Sequence, residues 1–265
     1  MAISINSHFA FELDQPTDVL LQFEAAAIPE QRLSDIETTL SESEHCIRVA
    51  AQDMIGERIW VRAQGRFEAS HSATVELDRI VPDIATLKRV APHDLPGESI
   101  KYLFDSRYCA ADRFQSFVEA EFGGCDGGER IVALRDWIAH NFTYEPGSST
   151  ATTTALDSFV ERRGICRDYA HVMVTLARAS TIPARYVACY APGVDPPDFH
   201  AVAEVFLEDH SHPDGGAWHI VDATGMADPA QTVKIGVGRD AADVSFMTVF
   251  GAATFLESKV SVRSS

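Results

Sequence analysis

A cysteine, a histidine and an aspartate in the second half of the sequence could together cleave an amide bond. Cys166 follows a glycine-containing turn and opens a predicted helix, His200 opens a predicted strand, and Asp222 ends the next strand. Free N–H groups and a partial positive charge at a helix start stabilise a thiolate, and also the oxyanion that forms when it attacks a carbonyl. The order of nucleophile, base and orienting carboxylate is that of a catalytic triad.

The elements around these residues must bring them together. Apolar strands are predicted over residues 184–191, 200–207 and 218–222, after several stretches of helical periodicity. Two neighbouring antiparallel strands would place His200 beside the thiol and Asp222 behind the imidazole. Helices followed by a run of adjacent strands indicate an α+β domain with an antiparallel sheet.

The first third of the sequence has a different period. Apolar side chains alternate with other residues around Phe9–Leu13, Val19–Phe23, Ile59–Ala63 and Val75–Leu77. Period-two alternation with frequent turn signals predicts antiparallel strands, as in a small sandwich or barrel. The stretch Pro92–Gly97 is punctuated by proline and glycine. We therefore expect a β-rich domain over residues 1–95 and the catalytic domain over residues 96–265.

Composition indicates which partners the protein can bind and where in the cell it is expected. The chain has 265 residues, with 22 Lys and Arg against 39 Asp and Glu, so its formal charge is −17. This balance argues against binding to nucleic acid or to anionic membranes, since both need clustered cations. No apolar stretch is long enough to span a bilayer, and the start of the sequence lacks the pattern of a secretory signal. A cytoplasmic location is the expectation.

The other cysteines have simpler interpretations than Cys166. Cys189 lies in the middle of a predicted strand and is expected in the core. Cys46, Cys109 and Cys125 have no paired base in the sequence and are expected to be structural. The cysteines form no CxxC pair and fit neither a disulfide framework nor a zinc knuckle.

The other histidines are weaker candidates for chemistry. His171, inside the helix that Cys166 opens, could contact substrate, but a supporting histidine held by a hydrogen bond is the favoured interpretation. His210, His212 and His219 could suggest a metal, yet no motif such as HExxH accompanies them. The sequence therefore predicts neither a metal nor a cofactor.

Several ordered motifs resemble those of the bacterial transglutaminase-like superfamily. The motifs are Arg163–His171, Ile182–Val187, Phe199–Ala201 with Glu204–Val205, Asp222–Thr224, and also Ser106–Cys109, Thr143–Ser149 and Gly238–Val244. The resemblance covers roughly residues 98 to 250. It implies a papain-like catalytic core, often preceded by a β-rich region, with Cys166 as nucleophile, His200 as general acid and base, and Asp222 as orienter.

Two departures from the family pattern bear on substrate preference. Ala201-Val202 stands where His-Ala-Trp is common in the family, and a polar insert over residues 208–216 lengthens the segment between histidine and aspartate. Neither departure affects the triad. No glutamine lies between Asn141 and Cys166, so the backbone N–H of Cys166 is the only oxyanion donor that the sequence names.

Together these observations predict an α+β fold: a papain-like transglutaminase core with an N-terminal antiparallel β domain. The expected function is a cysteine hydrolase of peptide or isopeptide amide bonds that acts through a thioester. The expected partner is a peptide or protein with an amide or a glutamine side chain. Two alternatives stay open: a protein-glutamine transamidase, in which an amine attacks the thioester, and a catalytically silent binding module. A complete triad favours the enzyme.

Overall fold

The structure is a computed structural model that describes residues 2–209 and 215–264. Its strands are β1 (Ala2–Leu21), β2 (Gln31–Leu40), β3 (His45–Ala50), β4 (Glu57–Leu77), β5 (Thr143–Tyr144), β6 (Arg163–Gly164), β7 (Ala184–Tyr190), β8 (His200–Glu208), β9 (Gly216–Val221), β10 (Val233–Gly238), β11 (Met247–Val249) and β12 (Thr254–Ser264). Its helices are α1 (Gly97–Ile100), α2 (Gln115–Phe122), α3 (Gly127–Asn141), α4 (Ala155–Glu161) and α5 (Cys166–Ala179). No helix in the described ranges is long and apolar enough to cross a membrane.

Two long strands form the centre of the first sheet. β1 pairs antiparallel with β4 along nearly its whole length. β2 and β3 pair with the two halves of β4, while β12 and β11 pair with the two halves of β1. The result is one six-stranded antiparallel sheet, and its last two strands come from the C-terminal side of the sequence. The division at residues 95 and 96 stays a prediction.

A β-bulge joins the two apolar stretches that begin at Phe9 and Val19 within one strand. The pairing of β1 with β4 shifts register between Leu13 and Thr17, opposite Gly65 and Ala63, and then continues. Pro16 lies inside this bulge, where a missing N–H interrupts no ladder hydrogen bond. The strand therefore bends without ending, and the apolar residues on both sides of the bulge share one core.

The first sheet is one open layer in the described ranges, whereas the sequence suggested a sandwich or barrel. The reason lies in what covers its apolar face. Ile5 and Val75 pack with Tyr190, Val233 and Ile235 of the second sheet. The other half of the same face packs with aromatic residues that precede β8 and β11. The covering layer thus comes from the second half of the chain.

The second sheet has the order β10-β7-β8-β9, with every pairing antiparallel. Helix α5 packs across it, and Met173 and Leu176 share a core with Val205 and Leu207. The predicted α+β class is confirmed. Three of the four strands were predicted, and the alternation of apolar residues along β10 would have indicated the fourth.

A fully buried carboxylate links the second sheet to the segment between β1 and β2. Glu204 on β8 accepts a hydrogen bond from Arg185 Nε at 2.8 Å and contacts Lys234 Nζ on β10. Lys234 Nζ also lies 2.6 Å from Glu30 Oε1. Burial acts to raise the pKa of Glu204, but Arg185 and Lys234 outweigh it and lower the pKa to about 2.

We expect Glu204→Gln to lower the free energy of unfolding by about 3–5 kcal/mol, because two buried cations would lose their shared carboxylate. The folded pKa is depressed from 4.5, so this contribution is complete above pH 4.5 and is lost as the pH falls towards 2. Urea unfolding of the wild-type protein and of Glu204→Gln at pH 7 and pH 3 measures this loss. The difference in unfolding free energy between the two proteins should be smaller at pH 3.

Glu76→Gln is the matched control. Glu76 pairs with Arg32 at 3.0 Å between two exposed side chains, so its loss should cost less than about 1 kcal/mol. A difference for Glu204→Gln that is the same at both pH values would contradict the assignment of the effect to the ionised carboxylate.

Candidate active site

The turn before α5 fixes the backbone of Cys166. Asp168 Oδ2 accepts a hydrogen bond from the Ile165 N–H at 2.9 Å, and Asp168 Oδ1 accepts one from Ser149 Oγ at 2.9 Å. A Cβ on Gly164 would lie 2.5 Å from the Cβ of Asp168, so a side chain at this position would push Asp168 away. Cys166 is therefore held as the first residue of α5, where its N–H has no partner within the helix.

His200 and Asp222 form a buried pair at the edge between β8 and β9. His200 Nε2 lies 3.1 Å from Asp222 Oδ2. The carboxylate also accepts hydrogen bonds from the Thr224 N–H, the Thr224 hydroxyl and the Ala227 N–H, all at 2.7–2.8 Å. Burial acts to raise the pKa of Asp222, but these partners outweigh it and lower the pKa. The carboxylate stays ionised and orients the imidazole.

Cys166 and His200 line one cleft of about 560 Å³. Since Nε2 faces Asp222, Nδ1 is the ring nitrogen left for the thiol, and it has no hydrogen-bond partner within the described ranges. Burial acts to lower the pKa of His200, but Asp222 and the Cys166 sulfur outweigh it and raise the pKa to about 9. A protonated imidazole favours the thiolate form of a neighbouring cysteine.

Tyr144 is a site residue to which the sequence assigned no role. The short parallel pairing of β5 with β6 sets Tyr144 beside Gly164, close to Cys166 in the chain. Tyr144 lines the same cleft as the thiol. Burial and the Cys166 sulfur raise the pKa of Tyr144, while the Cys166 backbone N–H acts to lower it. The phenol oxygen is therefore close to both the sulfur and the N–H of Cys166.

His171 is the supporting histidine that the sequence favoured. It is fully buried, and its Nε2 accepts a hydrogen bond from the Ala241 N–H at 3.1 Å. Its ring stacks on Tyr108 and packs against Tyr186. Burial holds the pKa of His171 well below its usual value. The ring is neutral, and its Nε2 hydrogen bond to Ala241 holds the segment after β10 in place.

The remaining candidates lie away from the cleft. Cys189 is fully buried in β7 as expected, and Cys109 is buried beneath α5, where burial raises its pKa to about 11. Cys46 is exposed on β3. In the part of the chain that the structure describes, no group of three His, Cys, Asp or Glu side chains could hold a metal. His210 and His212 lie outside the described residues.

Comparison with known proteins connects this geometry to one family. The family model of the transglutaminase-like superfamily matches residues 110–223, which include Cys166, His200 and Asp222. The crystal structure of a candidate cysteine protease from Cytophaga hutchinsonii superposes with a TM-score of 0.91 at 32% identity. That alignment covers 99% of this chain and 90% of the other.

Curated relatives match over a shorter stretch. An uncharacterized protein of Mycobacterium leprae is 32% identical over 120 residues, which are 43% of this chain and 42% of the relative. An uncharacterized protein of Mycobacterium tuberculosis is 32% identical over 128 residues, which are 43% of this chain and 40% of the relative. The chain thus spans less than half the length of these two relatives.

The cysteines should differ sharply in reactivity. We expect iodoacetamide to label Cys166 well before Cys189, because Cys166 borders the cleft whereas burial raises the pKa of Cys189 well above its usual value. His200→Ala should slow labelling of Cys166 by at least about 10-fold. Peptide mapping by mass spectrometry gives each rate, and exposed Cys46 is the internal reference. Labelling of Cys166 that is no faster than that of Cys189 would contradict a catalytic role.

Proposed function

This chain belongs to the transglutaminase-like superfamily, and we propose that it is a cysteine hydrolase of peptide or isopeptide amide bonds. One observation carries the proposal: Cys166, at the start of α5, shares a cleft with His200, whose other ring nitrogen is paired with buried Asp222. The similar protein from Cytophaga hutchinsonii, described as a candidate cysteine protease, agrees with this class of activity.

In the acylation step, the Cys166 sulfur attacks the carbonyl carbon of the substrate amide. The carbonyl oxygen becomes an oxyanion, and the carbon–nitrogen bond then breaks. The leaving amine takes its proton from His200 Nδ1, and the acyl group stays on Cys166 as a thioester. Asp222 keeps Nε2 occupied and stabilises the imidazolium, so that Nδ1 always faces the reacting atoms.

Two donors are proposed for the oxyanion. The Cys166 N–H has no partner within α5, and the Tyr144 phenol lies close to that N–H. An oxygen that bound between them would accept a hydrogen bond from each. Donors that are in place before the reaction stabilise the developing charge without a cost of reorganisation.

Deacylation returns the enzyme to its starting state. His200 takes a proton from a water molecule as the water attacks the thioester, and the proton then goes to the departing sulfur. The products are a carboxylic acid and the free thiol. Transamidation would differ only in having an amine attack in place of water. We favour hydrolysis because water is the default acceptor.

The three triad residues should differ in the severity of their replacement. Cys166→Ala should abolish turnover because no thioester can form. His200→Ala should be nearly as severe, and Asp222→Ala should be the mildest because it removes only orientation and stabilisation of the imidazole. Initial rates on a fluorescence-quenched peptide measure this, with circular dichroism to confirm folding and hydroxylamine to trap the thioester as a hydroxamate.

The residues should also behave as a unit. The double variant Cys166→Ala/His200→Ala should be no slower than Cys166→Ala alone. Wild-type turnover in His200→Ala, with turnover lost in Cys166→Ala, would assign the base to another residue. Identical rates in all variants would favour the binding module. A primary amine in the assay separates hydrolysis from transfer, since transamidation would incorporate it into the product.

Tyr144→Phe should lower kcat by about 100-fold with little change in KM, because it removes one oxyanion donor but leaves the ring. Tyr108→Phe is the matched control: Tyr108 borders the same cleft, but its hydroxyl already donates to the Ala151 carbonyl at 2.8 Å. Steady-state kinetics of both variants tests the role. Equal losses in the two variants, or none in Tyr144→Phe, would remove Tyr144 from the oxyanion hole.

A further inference from the structure

The cleft that contains the thiol reaches the first sheet. Phe199, Phe246 and Phe255 line it together with Cys166 and His200. Phe199 directly precedes β8, Phe246 directly precedes β11, and Phe255 lies on β12. We call these three phenylalanines the aromatic wall. Two of them thus come from the segment that joins the first sheet after the triad residues.

The aromatic wall is a packed and anchored surface. The rings of Phe199 and Phe246 stack, with centroids 4.9 Å apart and an interplanar angle of 6°. Phe255 meets Phe246 edge-on at 5.9 Å. Phe9, buried on β1, packs edge-on against both Phe199 and Phe246. The wall is therefore held by the core of the first sheet before any substrate arrives.

One ring of the wall is left open to solvent. Phe255 is 45% exposed although it borders a cleft lined by other aromatic and aliphatic side chains. Burying an exposed aromatic surface against another apolar group is favourable, and aromatic pairs gain further from edge-on and offset geometries. Phe255 thus offers a contact that nothing in the described part of the chain completes.

The one cation that lines the cleft besides His200 in the described ranges is already paired. Apart from His200, the charged residues that line the cleft within the described ranges are Arg167 and Asp198. Arg167 donates to Asp168 Oδ1 and to the Thr153 carbonyl, both at 3.1 Å. Asp198 accepts from Ser258 Oγ at 3.2 Å. An acidic substrate side chain would therefore lose hydration here without gaining a free cation.

We propose that the aromatic wall is a substrate subsite that selects a bulky apolar side chain, aromatic above all, next to the amide presented to Cys166. This inference rests on the proposed function and gives it a substrate class. The residue that determines specificity is Phe255, because its exposed ring is the part of the wall that a substrate ring would cover.

Binding to a protein that cannot turn over tests the subsite apart from the chemistry. In a Cys166→Ala background, NMR titration gives Kd for three acetylated tripeptide amides: Ala-Phe-Ala, Ala-Ala-Ala and Ala-Glu-Ala. We expect Ala-Phe-Ala to bind at least about 10-fold more tightly than Ala-Ala-Ala, and Ala-Glu-Ala to bind no better than Ala-Ala-Ala. Adding Phe255→Ala should bring the Phe and Ala peptides within about 2-fold, and Phe255→Leu should restore part of the preference.

Phe250→Ala is the control. Phe250 is 60% exposed in the same segment of the chain, but it packs on Trp60 and lies outside the cleft. The Phe250→Ala substitution should leave the preference for the Phe peptide intact. Equal affinity for the Phe and Ala peptides, or a preference that survives Phe255→Ala, would overturn the subsite.

Hydrolysis by the wild-type protein is measured separately on longer quenched peptides with Phe or Ala beside the scissile amide. A binding preference without hydrolysis of any peptide would support the subsite and contradict the hydrolase. Hydrolysis with no preference in either assay would contradict the subsite alone.

Discussion

The hydrogen bond between His200 and Asp222 is the interaction on which the rest of the site depends. Both side chains are buried, and a buried carboxylate is tolerated only when its oxygens are satisfied. The register of Ala203 opposite Val221 brings the end of β9 beside the start of β8. The turn after β9 adds three more donors to Asp222. The imidazole then has one orientation, with Nδ1 towards the cleft, and α5 has to start where its first residue can meet that nitrogen.

The first sheet supports that arrangement from the other side. Phe199, one residue before His200, packs on Phe9 and Phe246. Asp198, one residue earlier, accepts a hydrogen bond from Ser258 on β12. The loop that leads into β8 is therefore held by strands distant in sequence. Deeper in the interface, Lys234 joins Glu204 of the second sheet to Glu30 near β2. The two sheets thus share a core and an ionic cluster, and the position of the histidine depends on both.

Local periodicity explains which parts could be predicted from sequence. The strands that carry His200 and lead to Asp222, and the helix that Cys166 opens, have clear apolar patterns, so their order in the chain was enough to suggest the triad. β12 was not predicted: it alternates weakly, with Glu257 and Lys259 on its exposed side, and its partner β1 is distant in sequence. Tyr144 lies in one of the motifs that resemble the family, but its pattern in the sequence indicates no role. Its place beside Cys166 depends on a parallel pair of two residues per strand, which leaves no periodic signal.

The proposed catalytic residues and the proposed substrate subsite lie in different parts of the chain. Tyr144 and the three residues of the proposed triad lie within residues 110–223, the part of the chain that the family model matches. Two residues of the aromatic wall, Phe246 and Phe255, lie beyond that part, on a segment that joins the first sheet. A substitution at exposed Phe255 changes the surface that faces a substrate ring, but it leaves the capping of α5 and the partners of Asp222 untouched. In the proposed hydrolase, substrate preference can therefore diverge through β11 and β12 at little cost to the geometry of the triad. Phe199 is more constrained, because it belongs to the proposed subsite and also fixes the start of β8.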